Sequence, residues 1–513
     1  MKNFNIYKLL TFLALPFLLS WPAWFNGHPF LFQDTPAYIK GAASAVSLLA
    51  ETSTARNWLS AGMTPADTAN TEEAAAAAPA AQLSSSPDKS GVISGRSVYY
   101  GLFMFLTACL LGLKGVPLLQ ALLSTVMITT FLRQRYSIDY RTIAATLLVL
   151  ALASPLPFFN SMLMPDVFAG LGIAGVVALI MMPRAPGGVR LFWALLTLAT
   201  VLFHTANIMI ILATIISLVV LWLVLNRREP IRWSAVALAL GLVGAGVAGE
   251  AAFSFGVRHF THTTPIRPPF MTARLLADGP GNSFVRTLCP QAGFEVCAYA
   301  RDFTRATSDD FLWSADPRIG VFTLASKASR TRLGEQDFAF AKAVFTRYPG
   351  QVMENAARNI TTQLGRIGLE EFVYVPGVVQ NFKPKIPADE QAVLGRTRAA
   401  LGGFDVSYSA LLIQVTSVAA LLVCMTAAVV VFKRRQHQEL TLIATVLLSM
   451  LINAAVCGAL STPHDRYQGR VIWILQLLAI IIVAVRYERV KLPGQQAEGV
   501  EDAPVQPLSA TPR

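Results

Sequence analysis

The sequence predicts an α-helical polytopic membrane protein with about ten transmembrane helices. Three observations predict it. Only 14% of the 513 residues are charged and 54% are hydrophobic, whereas soluble proteins carry about 25% charged residues. Apolar runs near the length of a bilayer span recur along the chain, and mean hydropathy is +0.51. The clusters of basic residues fall in short loops between those runs, all on one side of the predicted layout.

The first apolar run, 9–25, follows Lys2 and Lys8. No small-x-small site follows it, so it reads as an uncleaved signal-anchor rather than a cleaved leader. Further spans are expected at 116–132, 142–158, 164–182, 191–204, 207–225, 233–254, 408–431, 440–460 and 470–485. With the N-terminus inside, five basic clusters all fall on one face. They are Arg133/Arg135/Arg141, Arg184/Arg190, Arg227/Arg228/Arg232, Lys433/Arg434/Arg435 and Arg486/Arg489/Lys491. That agreement follows the positive-inside rule and predicts that both termini are cytoplasmic. It also explains the net charge of +12 without nucleic acid. A full crossing by 97–113 would put Arg133 and Arg135 outside, so this stretch is expected to lie along the outer face.

This layout gives an N-terminal membrane part, 1–254, and C-terminal membrane helices, 407–491. Between them, 255–406 reads as a mainly helical outer domain, with helices expected at 335–347 and 350–366 and Pro349 opening the second. Within the first outer loop, 26–97, the Ala/Ser/Thr/Pro-rich stretch 51–95 reads as a flexible insertion that cannot bury a core. The tail 492–513 reads as disordered. Cys289 and Cys297, eight residues apart in the outer domain, are disulfide candidates on an oxidising side. Cys109, Cys424 and Cys457 lie in apolar segments and read as packing residues.

Asp34, Arg96, Asn160, Asp166, His204, His464, Asp465, Arg466 and Tyr467 all come out at the outer surface, most of them in short turns. Several ionisable groups at one depth make a candidate site. Asp34, in Gln33-Asp34-Thr35-Pro36-Ala37-Tyr38, is a candidate general base whose pKa partial burial would raise. It is equally placed to cap the helix that starts at Thr35-Pro36. Asp166, after Pro165, is either a second site carboxylate or a helix cap. Arg466 and Arg470, with His464, suit a lipid phosphate through forked, charge-assisted hydrogen bonds; a headgroup-anchoring Arg/Tyr belt is the alternative. His204 reads either as a site residue or as an interhelical hydrogen-bonder. His259 and His262 have a spacing that can chelate metal on a helix, but Thr263-Thr264-Pro265 argues against helix there. No Walker loop, GxGxxG, G-x-S-x-G or His-Glu-x-x-His motif occurs, so ATP-driven transport and zincin proteolysis by those motifs have no support.

The order of parts resembles the GT-C superfamily of membrane glycosyltransferases, such as the protein mannosyltransferases and the aminoarabinose transferase of lipid A. The resemblance rests on the acidic-plus-Tyr element at Asp34 and Tyr38 and on the Arg96–Gly112 stretch, which looks like that family's outer-face helix. It covers roughly 1–250 and 408–490. Thr35 departs from it, since many relatives carry a second acidic residue there. The resemblance implies a bacterial inner-membrane enzyme that uses a polyprenyl-phosphate-linked sugar, with a divalent cation as a possible cofactor. Asp34 would be the base, Asp166 would orient the acceptor or assist the cation, and Arg466 with Arg470 or His464 would hold the phosphate. Tyr38, Arg96, His204 and Tyr467 would support the site. Two other classes compete: a transporter or flippase of lipid-linked or anionic solutes, and a non-catalytic envelope assembly protein. Oligomeric state, sugar and acceptor are not encoded legibly.

Overall fold

The computed structural model describes residues 6–50, 52–60, 83, 92–299, 303 and 306–491, with backbone only for 485–491. It is an α-helical membrane protein. Six helices are long and apolar enough to cross a membrane: Gly115–Tyr136, Thr205–Leu225, Trp233–Thr261, Ser407–Lys433, His437–Leu460 and the stretch Asp465–Ala484. Shorter apolar helices accompany them at Val98–Leu111, Tyr140–Ala153, Val167–Met181 and Gly187–Phe203. The first apolar run is not one rod. It is divided into Ile6–Leu13, Leu15–Leu18 and Trp21–Asn26, with Pro16 and Pro22 in the first turns of the later pieces, where the missing N–H costs least.

Val98–Leu111 covers 14 residues, about 21 Å at 1.5 Å per residue, which is short of a ~30 Å hydrocarbon core. Gly112 then takes φ +69°, and the next helix starts three residues later. Gly101 lies against the backbone of Tyr38 and Ala42; a Cβ there would sit 2.5 Å from the Tyr38 carbonyl. This close approach seats Val98–Leu111 on Thr35–Ser47.

Most buried apolar residues form one core running through the membrane helices, and a second core gathers residues between Ile266 and Val344. The stretch 255–406 is shared between them, because Leu369, Phe372, Phe382, Ile386, Leu394, Ala399, Phe404 and Val406 belong to the first. Lys327–Arg347 and Pro349–Gly365 are the two helices that the sequence pattern anticipates in this stretch, with Pro349 opening the second. That second helix packs on His437–Leu460, where Gly458 lets the Asn359 carbonyl come close.

Two expectations change. The stretch 51–95 is not uniformly without a core: Ser53–Ser60 is helical, Ala55 and Trp58 are buried, and Trp58 packs edge-on to Phe105 at 5.1 Å. One aromatic anchor suffices to fix a segment whose composition is otherwise polar and small. The remainder of that stretch up to 91, except residue 83, and the tail 492–513 lie outside the described residues. Second, Trp233–Thr261 remains helical through His259, and His262 ends it with φ 52°. A left-handed cap turns His262 out of the i,i+3 register that metal chelation on a helix needs.

Candidate functional site

Two backbone crossings and several side-chain hydrogen bonds bring the loops of the site together. Phe30 N–H donates to the Ser161 carbonyl at 2.9 Å and Leu163 N–H to the Phe30 carbonyl at 2.8 Å. The Thr35 hydroxyl donates to the Leu163 carbonyl at 3.1 Å and accepts from Phe32 N–H at 2.9 Å. The loop carrying Asp34 is thereby fixed to the loop preceding Asp166. Thr35, the departure from the acidic pattern, is buried and does this fastening. Ser97 Oγ caps its own helix and donates to the Leu202 carbonyl at 2.6 Å, which draws Arg96 toward His204. Gln363 binds the backbone of His464 in both directions, at 2.8 and 3.0 Å, which anchors the loop before the last helix.

Asp34 does not cap its helix. It occupies the N-cap position without a side-chain cap bond. Its Oδ1 instead accepts from Arg96 Nε at 2.8 Å and Nη2 at 2.5 Å, and both side chains are 22% exposed. Burial pushes this carboxyl up, but Arg96 and Arg466 outweigh it and hold it below the usual carboxylate range; His204 acts in the same direction. The raised pKa expected from burial alone is therefore reversed, because two guanidinium charges favour the ionised form more than burial disfavours it. Tyr38 is buried beside it, its ring edge-on to Tyr100 at 5.2 Å.

Asp166 likewise forms no cap bond. It is 2% exposed and pairs with Arg470, 1% exposed, at 3.5 Å. Arg470 Nη2 reaches Asn453 Oδ1 at 3.3 Å and Cys457 Sγ at 3.2 Å. Asp166 Oδ2 and Arg470 Nε are buried without a hydrogen-bond partner. This is an internal charge pair that holds the start of Val167–Met181 to the start of the last helix. Arg470 is thus committed inward, not displayed with Arg466.

Arg466 retains two free donors, against one on Arg470. It is 9% exposed and lies over the Phe32 ring at 4.1 Å and the Tyr467 ring at 4.9 Å. Its Nη2 donates to the Tyr467 hydroxyl at 3.3 Å, while Nε and Nη1 are buried and unpartnered. It is within electrostatic reach of both Asp34 and Asp166. His464 is taken up differently: its Nε2 meets Asp309 Oδ2 at 2.8 Å, which links the loop to the second core. His204 Nδ1 accepts from Ala206 N–H at 3.2 Å and so caps its own helix.

Three participants were invisible in the sequence. Trp313 lies under the Arg96 guanidinium at 4.7 Å, a contact across more than two hundred residues. Asp309 is the partner of His464. Glu371 accepts from Arg466 N–H at 3.0 Å, its Oε2 is buried without a partner, and burial, the leading influence, pushes its carboxyl up. The adjoining acidic pair Glu370-Glu371 was the only local signal for it.

A divalent cation does not fit these donors. Asp34 and Asp166 are each engaged by an arginine, and among the described residues no group of three His, Cys, Asp or Glu could hold a metal. Cys289 and Cys297 are joined as a disulfide. Ionisable side chains from the first loop, the 166 turn, the 204 turn and the 464–467 loop thus converge on one place, beside the second core, which touches them through Trp313 and Asp309. No protein-family model, no curated protein and no solved structure matches the chain.

Proposed function

We propose that the chain is an integral-membrane glycosyltransferase of the GT-C kind. It would cross the inner membrane about ten times with both termini inside, and would move a sugar from a polyprenyl-phosphate donor to an envelope acceptor at the outer face. The observation that carries this reading is the juxtaposition of an ionised Asp34 with Arg466, whose Nε and Nη1 have no partner. A buried guanidinium with two open donors, in contact with the Phe32 and Tyr467 rings, is suited to a phosphate.

In this reading Arg466 binds the donor phosphate and stabilises the negative charge that grows on it as the bond from the anomeric carbon to the phosphate oxygen breaks. The acceptor oxygen forms the new bond from the opposite side, which inverts the configuration. Its proton passes to Asp34. Because Arg96 and Arg466 hold Asp34 low, it is a weak base in the resting arrangement. It takes the proton late, when the attacking hydroxyl has become acidic. Asp166 and Arg470 keep the last helix, and so Arg466, in position.

The test is complementation of a deletion strain, read by mass spectrometry of envelope glycans. Wild type restores a glycan mass that the deletion lacks. Asp34→Asn, inserted at wild-type level and still unfolding cooperatively, does not. Full restoration by that variant would sink the mechanism.

A further inference from the structure

A polar cavity lies at the other end of the helices that build the site. Val167–Met181 starts at Asp166 and ends at this cavity's wall; Thr205–Leu225 starts at His204 and brings Trp222 to it. Helices of this length separate the two places by roughly 20–30 Å. The cavity has a volume of about 730 Å³, within the usual range of small-molecule sites. Its lining includes Arg135, Arg184 and Arg232, together with Glu229, Gln438 and Trp222.

The charges there are only partly answered. Arg135 donates to Glu439 at 2.6 Å and to Gln438 at 3.2 Å, and its Nε is buried without a partner. Glu229 accepts from Gln438. Arg184 and Arg232 are exposed, and among the described residues neither has an ion-pair partner. Beneath them Met182, Trp222 and Ile231 are buried, so the floor is apolar. Basic loops at this end of a membrane protein follow from insertion alone. Arg227 and Arg228 fit that description, being exposed and outside the cavity lining. Three arginines around one concave space with an apolar floor do not follow from it.

We propose that this cavity binds a phosphate-bearing anion: the headgroup of an acidic phospholipid or a soluble phosphate ester. Arg184 and Arg232 supply forked donors, Arg135 adds its free Nε, and the apolar floor takes the glycerol or the first methylenes.

The experiment uses the full-length protein in detergent, titrated with phosphatidylglycerol, phosphatidylcholine or glycerol 3-phosphate and read by native mass spectrometry. Wild type retains one phosphatidylglycerol in preference to phosphatidylcholine. Arg184→Gln/Arg232→Gln weakens this by roughly tenfold or more, as expected for two lost charge-assisted contacts, while Arg227→Gln/Arg228→Gln does not. Displacement of phosphatidylglycerol by glycerol 3-phosphate assigns the site to the soluble ester; retention of phosphatidylglycerol assigns it to the lipid. Equal weakening by both double variants, or equal retention of the two lipids, overturns the proposal. The substituted arginines are exposed, so unchanged thermal midpoints check that the fold is intact.

Discussion

Removing Asp166 or Arg470 should unsettle the fold before it touches any chemistry. The two charges are 3.5 Å apart and almost fully buried. At an effective dielectric of about 20 their attraction is about 5 kcal/mol. Deleting one partner leaves the other charged and unpaired inside, which costs roughly 3–5 kcal/mol. The single 3.5 Å contact and the unpartnered Asp166 Oδ2 and Arg470 Nε place Asp166→Asn and Arg470→Met near ~3 kcal/mol each. The double variant Asp166→Leu/Arg470→Met removes both charges and should lie within about 1–2 kcal/mol of wild type, since apolar replacement of a buried pair is often close to neutral. The assay is thermal unfolding in detergent by intrinsic fluorescence. Each single variant should unfold several degrees early, and the double should be far less affected than their sum. Additive losses would refute the pairing. So would an Arg470→Met protein with a wild-type midpoint but no donor binding, because Arg470 would then be a phosphate ligand.

Arg466→Lys should lower transfer by roughly a hundredfold, as loss of one transition-state donor does elsewhere, because an ammonium cannot present the Nε and Nη1 pair; glycan mass spectrometry checks it. Acidification should remove the stability that Asp34 contributes. That stability is fully present above the ordinary carboxylate range and is lost as pH falls through the depressed value, so the gap in thermal midpoint between wild type and Asp34→Asn narrows in acid. Glu371 has the opposite sign. Its ionisation costs stability as pH rises from the ordinary value through the raised one, so Glu371→Gln should gain on wild type across that window. Cys289→Ser/Cys297→Ser opens a loop of separation 8 and should cost about 2.5 kcal/mol on the chain-entropy account, read as earlier proteolysis of the outer unit.

The membrane helices were legible because lipid demands long apolar runs with satisfied backbones. The helix pair around Pro349 was legible from proline's fixed geometry. The breaks at Pro16 and Pro22 were present in the sequence, but hydropathy averages over them. At the site, the sequence marked Asp34, Asp166 and Arg466 as a group at one face. It gave no means of choosing between capping and pairing, because a cap is a local event and the partners Arg96 and Arg470 are 62 and 304 residues away. The same distance hid Trp313 and Asp309. The direction of Asp34's shift was missed for that reason too: burial is visible in hydropathy, whereas the position of an opposing charge is a property of the folded chain.

Arg96 faces two ways, gripping Asp34 through its edge and resting its plane on Trp313. A ligand that draws Asp34 away from Arg96 changes what the guanidinium does above that indole. Occupancy beside Asp34 would thereby be read as a change in the surroundings of one tryptophan, and Trp313 fluorescence would gauge it.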